Sequence, residues 1–242
     1  MVCRLLAVCF IAVFSQLAHA GDYAFERIIG FSPDGRYFGF EEYGVQDGSG
    51  FPYSNIYIID LKTDKFVPSS PVRVQFDDEN NSLNSARKVA REQAKPLIQN
   101  YKLNSPAQTA YARGIGDFAN FEQGPNAEII SKVFLPSFTD PTGPARKSIE
   151  LILNQFSLPN TPNCPEETRG FKLEKFDESG RHLIHKDTKI FKSRGCAIEY
   201  RISGVYTPAF IRGDYAAVMI SVFQFGFEGR DRRFIVYPMN IN

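Results

Sequence analysis

The chain has 242 residues, with 28 Lys+Arg against 27 Asp+Glu and a formal net charge of +1. A near-neutral balance argues against nucleic acid as the main partner, because phosphate backbones select basic surfaces. Aromatic residues make up 14%, all of them Phe and Tyr, which suits pleated, half-buried surfaces.

The first twenty residues read as a cleavable export leader. Arg4 supplies the positive start, Leu5 to Phe14 form an apolar run, and Ala18-His19-Ala20 offers a small-x-small cleavage site. The run is shorter than the roughly 20 apolar residues of a membrane span, and no later segment is long and apolar enough. Expected localisation is therefore periplasmic or secreted, soluble after cleavage, with no membrane span. Cleavage removes Cys3 and Cys9 and leaves Cys164 and Cys196, which should pair in an oxidising compartment. The two cysteines lack C-x-x-C spacing, so neither a metal site nor a thiol redox motif is expected.

From Ala24 the chain reads as a four-strand antiparallel meander: Ala24–Phe31, Arg36–Glu41, Asn55–Leu61 and Phe66–Val67. The turn Ser32-Pro33-Asp34-Gly35 has Pro to preset φ and Asp-Gly to tolerate left-handed backbone. From Ser82 to Tyr101 the period changes. Ala86, Val89, Ala90, Ala94, Leu97, Ile98 and Tyr101 form an apolar helical face, with Arg87, Lys88, Arg91, Glu92 and Lys95 opposite. Pro96 is expected to kink or split this helix. Strand-like runs then follow at 128–135, 148–156, 170–176, 183–185, 197–206, 215–225 and 234–237. The fold class is mainly β (α+β), with antiparallel meanders or sandwich-like sheets and one amphipathic helix. The parts are a leader (1–20), an N-terminal meander (21–75), a helical connector (76–105) and a β-rich region (106–242) that forms one compact domain with the meander.

Two resemblances rest on specific residues. Phe31-Ser32-Pro33-Asp34-Gly35-Arg36-Tyr37 followed by Ile56-Tyr57-Ile58-Ile59-Asp60-Leu61 resembles one WD40-like propeller unit of the TolB type. There is one good copy, and a propeller needs four to eight blades, so a whole propeller is not expected. The leader, the meander, Ser193-Arg194-Gly195-Cys196 and the stretch from Gly226 to Phe234 resemble a family of predicted secreted bacterial proteins of unknown function. That resemblance implies export and carries over no functional residues.

Candidate chemistry is sparse. His182 and His185 are three apart, so on a regular strand they face opposite sides and cannot share a metal; His185 does have Asp187 nearby. Glu41, Asp47 and Asp60 could meet across the meander as a glycosidase-like set. Arg87, Arg91 and Lys95 on the helix, and Arg230, Arg232 and Arg233 near the C-terminus, could contact anionic envelope material. The long loop Gly44–Tyr53 carries Tyr43, Asp47, Phe51 and Tyr53, which makes it the candidate binding surface. These residues point to an exported, non-catalytic binding or scaffolding protein whose partner is a protein or envelope component, with no cofactor and no metal. The alternative is an envelope-directed hydrolase that uses acidic residues.

Overall fold

The computed structural model describes residues 21–114, 128–135, 147–159, 164–189, 191–211, 213–227 and 229–241. The leader, and with it Cys3 and Cys9, lies outside the described residues. The chain begins with β1 (Phe25–Phe31), β2 (Tyr37–Val45), β3 (Pro52–Asp60), β4 (Lys65–Phe66), β5 (Val72–Gln75) and helix α1 (Leu83–Asn100). It continues with β6 (Ala107–Ala112), β7 (Glu128–Leu135), β8 (Lys147–Ser157), β9 (Arg169–Asp177) and β10 (Gly180–Lys186). A 3-10 turn (Lys192–Arg194) leads into β11 (Ala197–Pro208), β12 (Tyr215–Phe225) and β13 (Arg230–Asn240).

Among the described residues the strands form three antiparallel sheets. The N-terminal sheet runs β1-β2-β3-β4, with β5 also pairing β3; the central sheet runs β13-β12-β11-β6 and the outer sheet β10-β9-β8-β7. The meander therefore gains a fifth strand, Val72–Gln75, that returns to Tyr53–Ile56. Its Ser-Pro-Asp-Gly turn closes as expected: Gly35 N–H donates to Ser32 O at 2.9 Å, with Gly35 at φ 71°. No propeller arrangement exists among the described residues; the resembling hairpin belongs to a stack of layers.

The order of layers follows from which side chains meet. Ala86, Ala90 and Ala94 of α1 pack on Ile56 and Val74 of the N-terminal sheet. The opposite face of that sheet, with Phe38, Phe40 and Ile59, packs on Ala217, Met219, Phe234 and Val236 of the central sheet. The far face of the central sheet, with Ile202, Val218 and Ile220, packs on Leu151, Leu153 and Leu173 of the outer sheet. An antiparallel sheet commonly keeps one face in water. This central sheet is covered on both, so all twelve positions of β11 are buried.

Helix α1 begins at Ser82, whose side chain accepts from Ser85 N–H, and it runs through Pro96 without a break to Asn100. Proline sits in the last turns, on the exposed side, where losing one hydrogen bond does not split the helix. Cys164 and Cys196 are bridged, with Cα atoms 5.5 Å apart. The bridge joins the approach to β9 in the outer sheet to the start of β11 in the central sheet. On the chain-entropy view a loop of this length is restricted by about 3–4 kcal/mol.

Candidate functional site: a cleft along β13

β13 is an end strand of the central sheet, so one row of its backbone groups has no neighbouring strand among the described residues. The molecule covers part of that row. Arg232 N–H donates to Asp22 O at 2.9 Å, and Ala24 N–H donates to Arg232 O at 3.2 Å. Phe234 N–H, next on the same side, donates to a carboxylate oxygen of Glu42 at 2.8 Å. Pro238 falls on the same side and brings no donor, which blunts the edge further on. Between these points β13 borders two adjoining cavities that share Tyr57, Arg73, Ser193, Arg194, Phe234 and Ile235.

The larger cavity, about 500 Å³, is walled by Phe40, Tyr57 and Phe66 of the N-terminal sheet and by Phe191, Phe234 and Val236 across from them. Phe66 is 52% exposed and Phe191 37%. His185, Arg194 and Tyr237 line it with polar atoms. Asp187, fully buried behind them, organises the group. It accepts from His185 Nε2 at 2.7 Å, from Arg194 at 2.6 Å and from Phe171 N–H at 3.0 Å. Burial works against ionisation of Asp187, but the His185 hydrogen bond, the Arg194 charge and the Phe171 N–H outweigh it and hold the carboxyl below its ordinary range. With Asp187 ionised, His185 Nε2 is the donor in the hydrogen bond between them. Arg194 also donates to the Tyr237 hydroxyl, and its guanidinium lies 4.8 Å over Phe191 and 5.3 Å over Phe171. Burial holds the Tyr237 phenol above its ordinary value, so it stays protonated. The cluster can hold and orient a polar group; a phenol kept neutral is a poor nucleophile.

The smaller cavity, about 330 Å³, is polar and carries Glu42, Asn55, Arg73, Lys192 and Arg233. Arg233 pairs with Asp22 at 2.5 Å, and the same carboxylate accepts from Tyr53 at 2.8 Å. Glu42 faces Arg233 without a direct ion pair to it. Burial dominates there and pushes its carboxyl above the ordinary value, despite the Phe234 N–H, Asn55 and Tyr57 contacts.

The residues singled out in the sequence scatter. Tyr43 lies on the helix side of β2, where the Arg87 guanidinium sits 3.5 Å from its ring centroid. Tyr53, at the other end of the loop, is 4% exposed and faces the central sheet. Asp47 and Phe51 lie in the connecting turn between them, so the four do not share one surface. Glu41 is held by Arg87 and Arg91, and Asp60 by Arg36. The register also sets Tyr37, four positions before Glu41, opposite Asp60, so these acids do not converge. Arg87 and Arg91 are thus committed to a buried carboxylate rather than free for anions. Arg230 pairs with Glu199, and Arg232 donates to Ala24 O at 2.6 Å; neither arginine group is a loose cationic patch.

The histidines depart from the strand rule for a local reason. A bulge between Leu183 and His185 shifts register, so His182 and His185 oppose Lys175 and Leu173, two same-face positions. They still do not meet: His182 bonds Ser179 at 2.8 Å, while His185 bonds Asp187. Arg194, Tyr237, Arg73 and Phe66 were not singled out as site residues from the sequence. His185-x-Asp187, two positions apart and therefore on one face of an extended chain, was the available signal.

The architecture defines, among the described residues, a three-sheet antiparallel β protein with an open cleft beside an edge strand. A family model described as "Predicted secreted protein (DUF2259)" matches residues 39–240, and the chain belongs to that family. No curated protein and no solved structure matches it. No helix among the described residues is long and apolar enough to cross a membrane.

Proposed function

We propose that this is an exported binding protein that takes a small, largely apolar envelope component into the cleft between the N-terminal and central sheets. The observation that carries the reading is the wall of the larger cavity, where Phe66 and Phe191 stay partly exposed over a buried, fully hydrogen-bonded polar cluster. Large apolar side chains left in water beside a cavity of this size suit a ligand. Each buried methylene contributes about 0.8 kcal/mol, whereas association costs about 4 kcal/mol or more. A ligand therefore needs at least about five buried methylenes before it is held at all, which favours apolar ligands over small polar ones.

Periplasmic or extracellular binding accords with the secreted family. The acidic hydrolase has less support, because Glu41 and Asp60 are each bound by arginines. A protein-facing role for the loop Gly44–Tyr53, with Tyr43, Asp47, Phe51 and Tyr53, is a second reading. Phe227, 82% exposed, favours it by lying over Gly48 in that turn.

The test uses an uncharged aromatic probe, N-phenyl-1-naphthylamine, whose fluorescence rises when it leaves water. Wild-type protein should bind it at micromolar concentration. Ser193→Trp, which fills the waist shared by both cavities from an exposed position, should weaken binding at least tenfold with Tm unchanged. Equal binding by the variant would remove the cleft from consideration.

A further inference from the structure

The charges around the cleft are not evenly neutralised. Arg194 faces Asp187 and Arg233 faces Asp22. Asp64 and Lys65, which line the larger cavity, are neighbours of opposite sign. Arg73 on β5 and Lys192 in the 3-10 turn both line the smaller cavity and both are exposed, and neither side chain makes an ion pair or hydrogen bond among the described residues. Glu42, the acid of that cavity, accepts from Phe234 N–H, Asn55 and Tyr57, so its oxygens are already occupied.

The two cavities thus differ in kind and share part of their lining. One has aromatic and aliphatic walls; the other holds two cations, Arg73 and Lys192, without acid partners among the described residues, with the Ser193 hydroxyl at the waist. We infer that the cleft selects a single-chain amphipathic anion, with its apolar body between Phe66 and Phe234 and its anionic head between Arg73 and Lys192. This rests on the cleft being the ligand site. The apolar body supplies most of the affinity, as the larger cavity dictates. The cations supply the choice of head group, because exposed charges act weakly but with a definite sign.

Three probes with one tail and different heads test the assignment: decanoate, 1-decanol and decylamine, each displacing N-phenyl-1-naphthylamine from the disulfide-bonded protein. Inorganic phosphate serves as a head without a tail. Decanoate should displace the probe at a concentration at least tenfold below that of decanol or decylamine, and phosphate should not displace it. The preference should shrink as salt rises. Arg73→Ala combined with Lys192→Ala, both exposed positions, should bring decanoate to the level of decanol within that same variant, with Tm unchanged.

Decanol equal to decanoate, a preference that survives the double variant, or displacement by phosphate alone would overturn the head-group assignment and leave the cleft reading standing. Absence of probe binding in the wild type, or its persistence in Ser193→Trp, would overturn both.

Discussion

Glu41 and Glu42 are neighbours on β2, equally buried at 1% exposure, and they face opposite sides of the N-terminal sheet. Glu41 points to the helix side. Arg87 and Arg91 reach it at 2.9 Å each, and Ser54 donates at 3.0 Å. Burial raises its pKa, but the two arginines more than offset this and hold it below the ordinary value. Glu42 points to the central sheet. Its donors are a backbone N–H, an amide and a phenol, so desolvation wins and its carboxyl is raised. One face is a closed polar network that docks a helix. The other leaves a carboxyl at the edge of a cavity, where Arg233 is paired with Asp22 while Arg73 and Lys192 make no ion pair among the described residues. Burial alone does not separate a structural charge from a candidate site; what separates them is whether the partners are complete.

Breaking the closed side should have the larger effect. Glu41→Ala leaves the Arg87 and Arg91 guanidinium groups facing the sheet without their carboxylate. Breaking such a pair costs about 3–5 kcal/mol. Urea unfolding should show that loss, with α1 the first element to lose hydrogen-exchange protection. A loss under about 1 kcal/mol would mean that the arginines find water easily and that the pair does not hold the helix.

The open side should be tolerant and should show the opposite pH dependence. A raised folded pKa gives stability that is fully present below the ordinary carboxylate value, about 4.3, and is lost as pH rises through the folded value. Glu41, with a lowered folded pKa, behaves the other way: its contribution is present above the ordinary value and lost as pH falls through the depressed one. Glu42→Gln keeps an acceptor for Phe234 N–H and should cost within about 1 kcal/mol at pH 4. From pH 4 to pH 8 the wild type should lose stability relative to Glu42→Gln, by about 1.4 kcal/mol for every tenfold weakening of the Glu42 acid on folding. A difference that stays flat, or that favours the wild type as pH rises, would show that Glu42 is ionised in the folded protein.

Much of the fold was legible because it is local. The helix from Ser82 to Tyr101 and nearly all the long strands announce themselves by period, and the cysteine pairing follows from counting. The layering was not legible. Tyr215–Phe225 reads as a strand, yet only the packing of two other sheets on β12 explains why both of its faces are apolar. β6 carries only a short, mixed run, Ala107–Ala112, and its pairing with β11 was invisible for that reason. The arginines show the same limit. Arg87 and Arg91 look like a solvated stripe until Glu41, 46 and 50 residues away, is placed beneath them. His185 and Asp187 were visible as a local pair, but Tyr237 joins from 52 residues away from His185, and Arg194 from 43 residues away from Tyr237. A site assembled from three separate segments leaves only fragments in the sequence.

The central claim is where the ligand sits, and hydrogen exchange with and without decanoate tests it most directly. Protection should rise at residues 64–66, 191–195 and 233–237, around the cleft, with no change at residues 46–51. Protection confined to residues 46–51, with the cleft unchanged, would contradict the account and place binding on the loop beyond β2 instead.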